Sequence, residues 1–312
     1  MKRSFRSIIL SIVFIALLFS PVGSEVFSED TDEFDFPPWI LLEKGKKAYH
    51  DREFGTAIRY FRTAIQKEGE FPEAEMWVGA VFEEEGEYIL AEKQYLKALE
   101  IKKLLYIPED EYTILYKLTE IYRNSNQYKK MEDTLISLLS KDEIVSGDAY
   151  ASLRLAYVRT LKEKGLNKLV ELYRHNNVKT QDAHSQLGIF YYRTGRYGNA
   201  TLNLLFTVLT VFSVCIDELR KFDPDYTFSN TEDFLEISLK EPRLKEFIEV
   251  GGFFKNLYYL GSSLSAEGEL LSARYLWRIV ATYATAAFWK DRAQRQMKAP
   301  FVEPLIEVQN GF

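Results

Sequence analysis

The three histidines of this 312-residue chain, at positions 50, 175 and 184, are its first candidates for metal or acid–base chemistry. A zinc site that can be recognised in a sequence has ligands at short, regular spacings such as HExxH, and none of the three histidines has such a neighbour. His50 is predicted to be a solvated polar residue and His184 a packing residue. The spacing therefore predicts no metal site and no cofactor.

Carboxylates are the second group that could do chemistry. The cluster Glu83-Glu84-Glu85 is explained by an ordinary helix end. The densest other acids are Asp223, Asp225, Glu232 and Asp233, and an enzyme would have to build its site from these four. The chain contains no glycine-rich phosphate-binding motif. We therefore expect a protein without catalytic activity.

The single cysteine, Cys215, cannot form a disulfide within the chain. It lies in an apolar run, and Asp217 and Glu218 follow it closely. A reactive thiol needs an electropositive setting, so a buried packing role is predicted instead.

The N-terminus has the pattern of an export signal. Lys2, Arg3 and Arg6 precede an almost wholly apolar stretch at 8–19, and Ser24 ends a short segment of small residues. This pattern predicts a signal peptide cleaved after Ser24, and hence a periplasmic or secreted protein. An uncleaved N-terminal membrane anchor remains the alternative.

The overall charge argues against a nucleic-acid partner. The chain has 40 basic and 46 acidic side chains, for a formal net charge of −6. Nucleic-acid binding draws much of its affinity from a basic surface. We therefore expect partners of another class, namely proteins or possible small-molecule ligands.

Internal similarity is the most informative feature of the sequence. Four pairs of like residues are each separated by 34 positions: Gly45 and Gly79, Ala57 and Ala91, Phe61 and Tyr95, and Ala64 and Ala98. The same order returns at 187–200 and at 260–277. Small residues would let two helices of a unit approach closely, and the large aromatic residues would fill the gap to the next unit. Glycines at 86, 195 and 268 would end the first helix of their units.

This pattern resembles the tetratricopeptide-repeat family, over roughly residues 38–298. The resemblance implies an all-α fold, a right-handed superhelical solenoid of about six antiparallel helix pairs. The clearest units are 38–71, 72–105, 181–214 and 254–287, with degenerate units at 112–145 and 148–178. The remaining segments are a signal peptide at 1–24, a flexible acidic lead-in at 25–37, an irregular insertion near 210–253 and a C-terminal tail at 299–312.

Two segments within the repeat region depart from the pattern. The stretch Leu202–Ile216 is apolar enough for a membrane, but Asn203, Thr207 and Thr210 form a polar stripe that favours a long buried helix. The insertion is predicted to contain a short helix near 232–249. Residues 286–298 are predicted to form a terminating amphipathic helix, followed by an extended tail.

In this family the first helices of successive units line a concave groove. The resemblance therefore implies a binding surface here, made of aromatic and charged residues: Tyr49, His50, Met76, Glu83, Tyr116, Glu120, Arg123, Tyr192, Arg193 and Tyr258. The positions at which related domains clamp chaperone tails hold Leu42, Lys46 and Trp77 instead, so that ligand is not expected. The leading hypothesis is a non-catalytic exported scaffold for protein–protein contacts in an envelope or periplasmic complex. The alternative is a ligand-binding accessory component of a periplasmic solute transporter.

Overall fold

The computed structural model describes residues 34–142, residue 145 and residues 150–306. Within these ranges the chain forms 14 α-helices and no β-strand. The predicted signal peptide at 1–24, the lead-in at 25–33 and the last six residues of the tail lie outside the described residues. The all-α prediction is confirmed for the part of the chain that is described.

The helices follow one another with short connections. The first six are α1 (Pro38–His50), α2 (Phe54–Glu68), α3 (Pro72–Glu84), α4 (Tyr88–Glu100), α5 (Asp110–Asn124) and α6 (Tyr128–Leu139). The next five are α7 (Tyr150–Leu172), α8 (Val178–Arg193), α9 (Tyr197–Phe222), α10 (Thr231–Ser238) and α11 (Pro242–Val250). The last three are α12 (Phe253–Ala266), α13 (Leu270–Tyr283) and α14 (Ala287–Lys298).

Five helix pairs share one turn geometry: α1 with α2, α3 with α4, α5 with α6, α8 with α9, and α12 with α13. In each turn, one residue has a positive φ, and the amide of the next residue bonds to a carbonyl five positions back at 2.8 Å. The positive-φ residues are Arg52, Gly86, Asn126, Gly195 and Gly268. This geometry satisfies carbonyl groups that a helix end would otherwise leave unpaired. The predicted roles of the glycines at 86, 195 and 268 are confirmed.

Gly86, with φ of 79°, offers a direct test of this turn. We expect Gly86→Ala to lower the free energy of unfolding by about 1–2 kcal/mol, because a Cβ is disfavoured in the left-handed region. Gly55→Ala is the matched control, since Gly55 lies in α2 and a Cβ there meets no atom within 4 Å. That control should be neutral or stabilising by up to about 1 kcal/mol. Urea unfolding followed by circular dichroism measures both; equal effects would contradict the turn assignment.

Close helix approach explains the other repeated positions. A Cβ on Gly79 would lie 2.9 Å from the Tyr95 ring, and one on Gly261 would lie 2.8 Å from Nε1 of Trp277. Gly45 faces Phe61 in the same way. Each glycine thus accommodates a fully buried large side chain on the second helix of its own pair. The stacking of Phe61 on Trp77, with ring centroids 6.1 Å apart, then links the first pair to the second.

The middle of the chain departs from the paired arrangement. In the predicted degenerate unit at 148–178, α7 consists of two helical stretches that meet at Gly165, where φ is 82° and ψ is 175°. The second helix of the next pair, α9, runs on to Phe222, well past the predicted unit boundary at 214. The insertion contains two short helices rather than one, because Pro242 starts a new helix after the turn at 239–241.

The end of the lead-in packs onto the first pair. The rings of Phe34 and Tyr60 lie 5.1 Å apart, and the Lys44 ammonium lies 4.5 Å from the Phe36 ring centroid. Lys67 Nζ also donates to the Phe36 carbonyl at 3.1 Å. Residues 34–36 of the predicted flexible lead-in thus make aromatic and polar contacts with the first pair.

Among the described helices, α9 alone is long and apolar enough to cross a membrane, with a mean hydropathy of 1.8 in its most apolar window. Of that window, 89% is buried inside the protein. Thr207 and Thr210 on the polar stripe are fully buried and donate hydrogen bonds to carbonyl groups of Gln181 and Phe206. This is the environment predicted for a buried second helix.

Candidate functional site

Side chains of the first helices contact one another in order along the molecule. We call the surface formed by α1, α3, α5, α8, α12 and α14 the first-helix face. Tyr49 on α1 donates to Glu84 on α3 at 3.5 Å. Lys117 on α5 lies 3.3 Å from Glu83 on α3. The first three helices of the face are therefore joined by polar contacts.

The same face continues past the irregular middle of the chain. The Tyr116 hydroxyl on α5 donates to the Lys179 carbonyl at 2.7 Å and accepts from the Ala183 amide at 3.1 Å. Ser185 on α8 donates to Asn256 on α12 at 2.7 Å. Because α5 contacts α8 directly, the fifth and eighth helices are neighbours in space although α7 lies between them in sequence.

The predicted groove residues divide into three groups. His50, Glu120 and Arg123 are exposed, and Tyr49, Glu83, Tyr116 and Arg193 are half-buried. Met76, Tyr192 and Tyr258 are buried, with 8%, 0% and 0% of their surface exposed. The prediction that these last three line an open groove is wrong. Met76 packs into the core, and Tyr192 and Tyr258 are contacted by the chain's own C-terminal residues.

Residues 301–306, here called the C-terminal segment, lie without helical structure against the end of the first-helix face. The Ile306 amide donates to the Arg193 carbonyl at 2.7 Å, and Arg193 Nε donates to the Pro304 carbonyl at 2.9 Å. The Gln296 amide bonds both the N–H and the C=O of Phe301, at 2.9 and 3.0 Å. Side chains of α8 and α14 thus bond the backbone of the segment, as protein surfaces do when they hold a peptide.

Glu303 anchors this segment by its side chain. Its carboxylate is 5% exposed and accepts hydrogen bonds from Tyr258 at 2.9 Å and from Arg292. The Tyr259 hydroxyl lies at 3.5 Å and Arg193 Nη1 at 4.0 Å. We call these four partners the Glu303 pocket. Two guanidinium groups and two hydroxyls compensate for burial of one charge, which would be costly without partners.

Tyr192 completes the contact with the segment from α8. Its hydroxyl accepts the Glu303 amide at 3.0 Å, and its ring lies 5.5 Å from that of Tyr259. The segment's backbone and side chain are therefore bonded at the same residue. The sequence predicts an extended tail but not its place on the face, because a single Glu in a short segment carries no repeat or spacing signal.

The four acids of the insertion do not form a common site. Asp223, Asp225 and Asp233 border a surface depression of about 450 Å³. Glu232 instead accepts from Tyr275 at 3.0 Å and lies 3.4 Å from Arg278. Asp233 accepts hydrogen bonds from Ser229 and Asn230 at the start of α10, where such contacts stabilise a helix N-terminus.

Cys215 is fully buried in α9, and burial raises the pKa of its thiol to about 12, with the nearby Glu218 charge adding to the rise. At pH 8 only roughly one thiol in ten thousand is then ionised. We expect the folded protein to resist labelling by a thiol-specific disulfide reagent at pH 8, and the urea-unfolded protein to react within minutes. Mass spectrometry measures the label; rapid labelling of the folded chain would contradict this burial.

A second constellation lies inside the protein, where Asp142, His175 and His184 meet. One ligand-type atom from each residue lies within 4.8 Å of the others. Their exposed fractions are 2%, 1% and 0%. His175 Nε2 lies 3.1 Å from Oδ2 of Asp142. We call these three residues the buried histidine cluster.

Neighbouring side chains orient each member of the cluster. Asn177 and Thr180 donate to Asp142 Oδ2, both at 2.9 Å. His175 Nδ1 lies 2.8 Å from the Thr210 hydroxyl, and His184 Nδ1 lies 2.9 Å from Oδ1 of Asn203. Phe206 stacks on the His184 ring, with centroids 4.8 Å apart, and contacts the His175 ring edge-on at 4.9 Å.

Burial lowers the pKa of His184 to about 4, since its charged form would lose hydration without an anionic partner at contact distance. The ring is therefore neutral near pH 7. The cluster cannot be recognised in the sequence because its members are 33 and nine positions apart. Only the packing of the linkers after α6 and α7 against α8 brings them together.

Comparison with known proteins gives relatives but no assigned role. No family model matches the chain. A Treponema pallidum (strain Nichols) protein described as uncharacterized is 27% identical over 225 residues, which cover 72% of this chain and 60% of that protein. The match thus spans less than two thirds of the treponemal protein. A Borreliella burgdorferi protein, also described as uncharacterized, is 24% identical over 274 residues, covering 80% of this chain and 84% of the relative.

Proposed function

We propose that this protein is a non-catalytic exported scaffold of the tetratricopeptide-repeat type, with its helix pairs stacked as a right-handed superhelical solenoid. The 34-residue spacing, the shared turns and the glycine–aromatic contacts support the repeat assignment. One pair cannot bury its own apolar face, so pairs stack and leave a long surface of first helices. Such surfaces serve as platforms for other proteins.

The observation that carries the proposal is the C-terminal segment on the first-helix face. Backbone groups of residues 301, 303, 304 and 306 bond to residues of α8, Tyr192 among them, or of α14. The Glu303 carboxylate lies in the Glu303 pocket. This combination of backbone bonding and one anchoring side chain is how a surface recognises an extended peptide. The segment therefore illustrates the binding mode that we propose for partner proteins.

The open part of the same face is the proposed partner site. His50, Glu120 and Arg123 are exposed there, and Trp77 stands beside Tyr49 with ring centroids 5.1 Å apart. Aromatic and Arg side chains are the residue types that contribute most at protein interfaces. We propose an envelope or periplasmic setting on the basis of the N-terminal sequence pattern.

Site-specific photo-crosslinking tests this function. A photoreactive residue at position 120 or 123 is expected to capture one discrete partner protein in cells, through an extended segment of it identified by mass spectrometry. The matched control is Ser137, which is exposed on α6, a second helix. Equal capture from position 137, or no discrete product from position 120 or 123, would contradict the proposal.

A further inference from the structure

The protons in the buried histidine cluster can be assigned from its hydrogen bonds. The Thr210 hydroxyl donates its only proton to the Phe206 carbonyl at 2.9 Å. Its oxygen is then an acceptor for His175 Nδ1, which lies 2.8 Å away. His175 Nδ1 is therefore the donor in this contact. Nε2 is the ring atom that faces the Asp142 carboxylate, 3.1 Å from Oδ2.

The hydrogen bonds of His184 identify its donor nitrogen in the same way. Asn203 donates its Nδ2 to the Asn199 carbonyl at 2.9 Å, which leaves Oδ1 as the acceptor that faces the histidine. His184 Nδ1 is therefore the donor in this contact, and Nε2 is the nitrogen left for another partner. No hydrogen-bond partner for this buried Nε2 is found among the described residues. A buried polar atom without a hydrogen-bond partner lowers the stability of the folded protein.

Two imidazole rings and one carboxylate thus converge, with one ligand-type atom of each within 4.8 Å of the others. We propose that Asp142, His175 and His184 bind a divalent transition-metal ion through one carboxylate oxygen and the two Nε2 atoms. Two nitrogens and one oxygen form a ligand set that suits Zn²⁺ and its first-row neighbours better than Mg²⁺ or Ca²⁺.

The distances fit such an ion. Ligand atoms about 2.1 Å from a tetrahedral ion lie roughly 3.4 Å from one another. His175 Nε2 and Asp142 Oδ2 are 3.1 Å apart, and one ligand-type atom of each of the three residues lies within 4.8 Å of the others. Both Nδ1 atoms donate to protein oxygens, the arrangement that orients histidine ligands at metal centres.

The position of the site indicates a structural role. Asp142 follows α6, His175 follows α7, and His184 lies in α8, with Asn203 and Thr210 of α9 behind the rings. Here the irregular span α7 meets the regular pair of α8 and α9. An ion bound here would join the linkers after α6 and α7 to that pair.

The proposal is tested on the whole purified chain after chelator treatment, with Zn²⁺ alone as the probe. We expect one equivalent to bind by calorimetry, and a hundredfold excess over Kd to raise the unfolding midpoint by about 5 °C. Mg²⁺ at the same concentration should do neither. His184→Gln should weaken Zn²⁺ binding at least tenfold, whereas His50→Gln, at the exposed third histidine, should leave it unchanged.

A second measurement needs no variant and so does not depend on His184→Gln folding. In ¹⁵N-histidine NMR spectra of the wild-type protein, Zn²⁺ should shift the Nε2 resonances of two of the three histidines and leave the third in place. Absence of binding up to roughly 100 μM Zn²⁺, or binding that His50→Gln removes, would overturn the proposal. So would a wild-type spectrum in which His175 Nε2 carries a proton that Zn²⁺ does not displace, since the pair is then a plain imidazolium–carboxylate contact.

Discussion

Replacing Glu303 with glutamine is expected to lower the free energy of unfolding by about 2–4 kcal/mol. The carboxylate is 5% exposed, and the change removes the negative charge that compensates the Arg292 guanidinium, leaving one amide oxygen as the acceptor for Arg292 and Tyr258. Arg292 is 22% exposed, so solvent compensates for only part of the loss. Urea unfolding followed by tryptophan fluorescence measures the effect, because Trp289 lies beside the Tyr258 ring.

The matched control for this prediction is Glu120→Gln. Glu120 pairs with Arg123 at 3.5 Å, but both side chains are about half exposed, at 49% and 48%. An exposed pair of this kind contributes at most about 1 kcal/mol. If Glu303→Gln and Glu120→Gln had the same small effect, the Glu303 pocket would not anchor the C-terminal segment.

Gly188→Ala is expected to lower the free energy of unfolding by about 2–3 kcal/mol, through overpacking between α8 and α9. A Cβ at Gly188 would lie 2.6 Å from Cγ of Leu204 and 3.1 Å from the Leu204 backbone nitrogen. Rotation of the leucine side chain cannot relieve the second contact, so the two helices must separate. The close packing of α8 and α9 supports the first-helix face. It also positions the α9 side chains that contact the rings of the buried histidine cluster.

Gly198→Ala in the same helix pair is the control for Gly188→Ala. A Cβ at Gly198 would meet only Glu267 Oε1, at an ordinary 3.6 Å. That variant should change the free energy of unfolding by less than about 1 kcal/mol, and with a stabilising sign. A Gly188→Ala protein as stable as Gly198→Ala would contradict the close approach of these two helices. Thermal and urea unfolding both measure the difference.

The repeated part of the fold could be predicted from the sequence because its physics is local. The glycines at 45, 79 and 261 each precede a large side chain by 16 positions, which is one helix pair folded back on itself. The turn glycines are identifiable for the same reason, since a positive φ strongly favours glycine. Arg52 and Asn126 occupy the same conformation without glycine, and no residue pattern identifies either of them.

The middle of the chain could not be predicted because its contacts are not periodic. Tyr116 reaches from α5 to α8, across 63 positions, and no pattern within either helix signals this contact. The interruption of α7 at Gly165 and the extension of α9 to Phe222 follow from packing with neighbours that a repeat template lacks. The buried histidine cluster depends on the same non-local packing.

The candidate groove was predicted in part. The first helices do contact one another in order, and Tyr49, Glu83, Tyr116 and Arg123 take part in those contacts. Met76 was assigned to an open surface but packs into the core. Tyr192 and Tyr258, at the C-terminal end, were assigned to the same surface. They contact residue 303, and a tail that folds back onto its own repeats cannot be recognised from spacing.

Peptide binding in trans tests most directly the proposal that the first-helix face holds extended segments with a buried carboxylate. The host is the full chain carrying Glu303→Ala, which weakens the binding of the chain's own C-terminal segment to the first-helix face. The ligand is a synthetic peptide of residues 299–306. We predict binding with a Kd in roughly the micromolar range, and at least tenfold weaker binding of the same peptide with glutamine at position 303. Absence of binding by either peptide, or equal binding by both, would contradict the proposal.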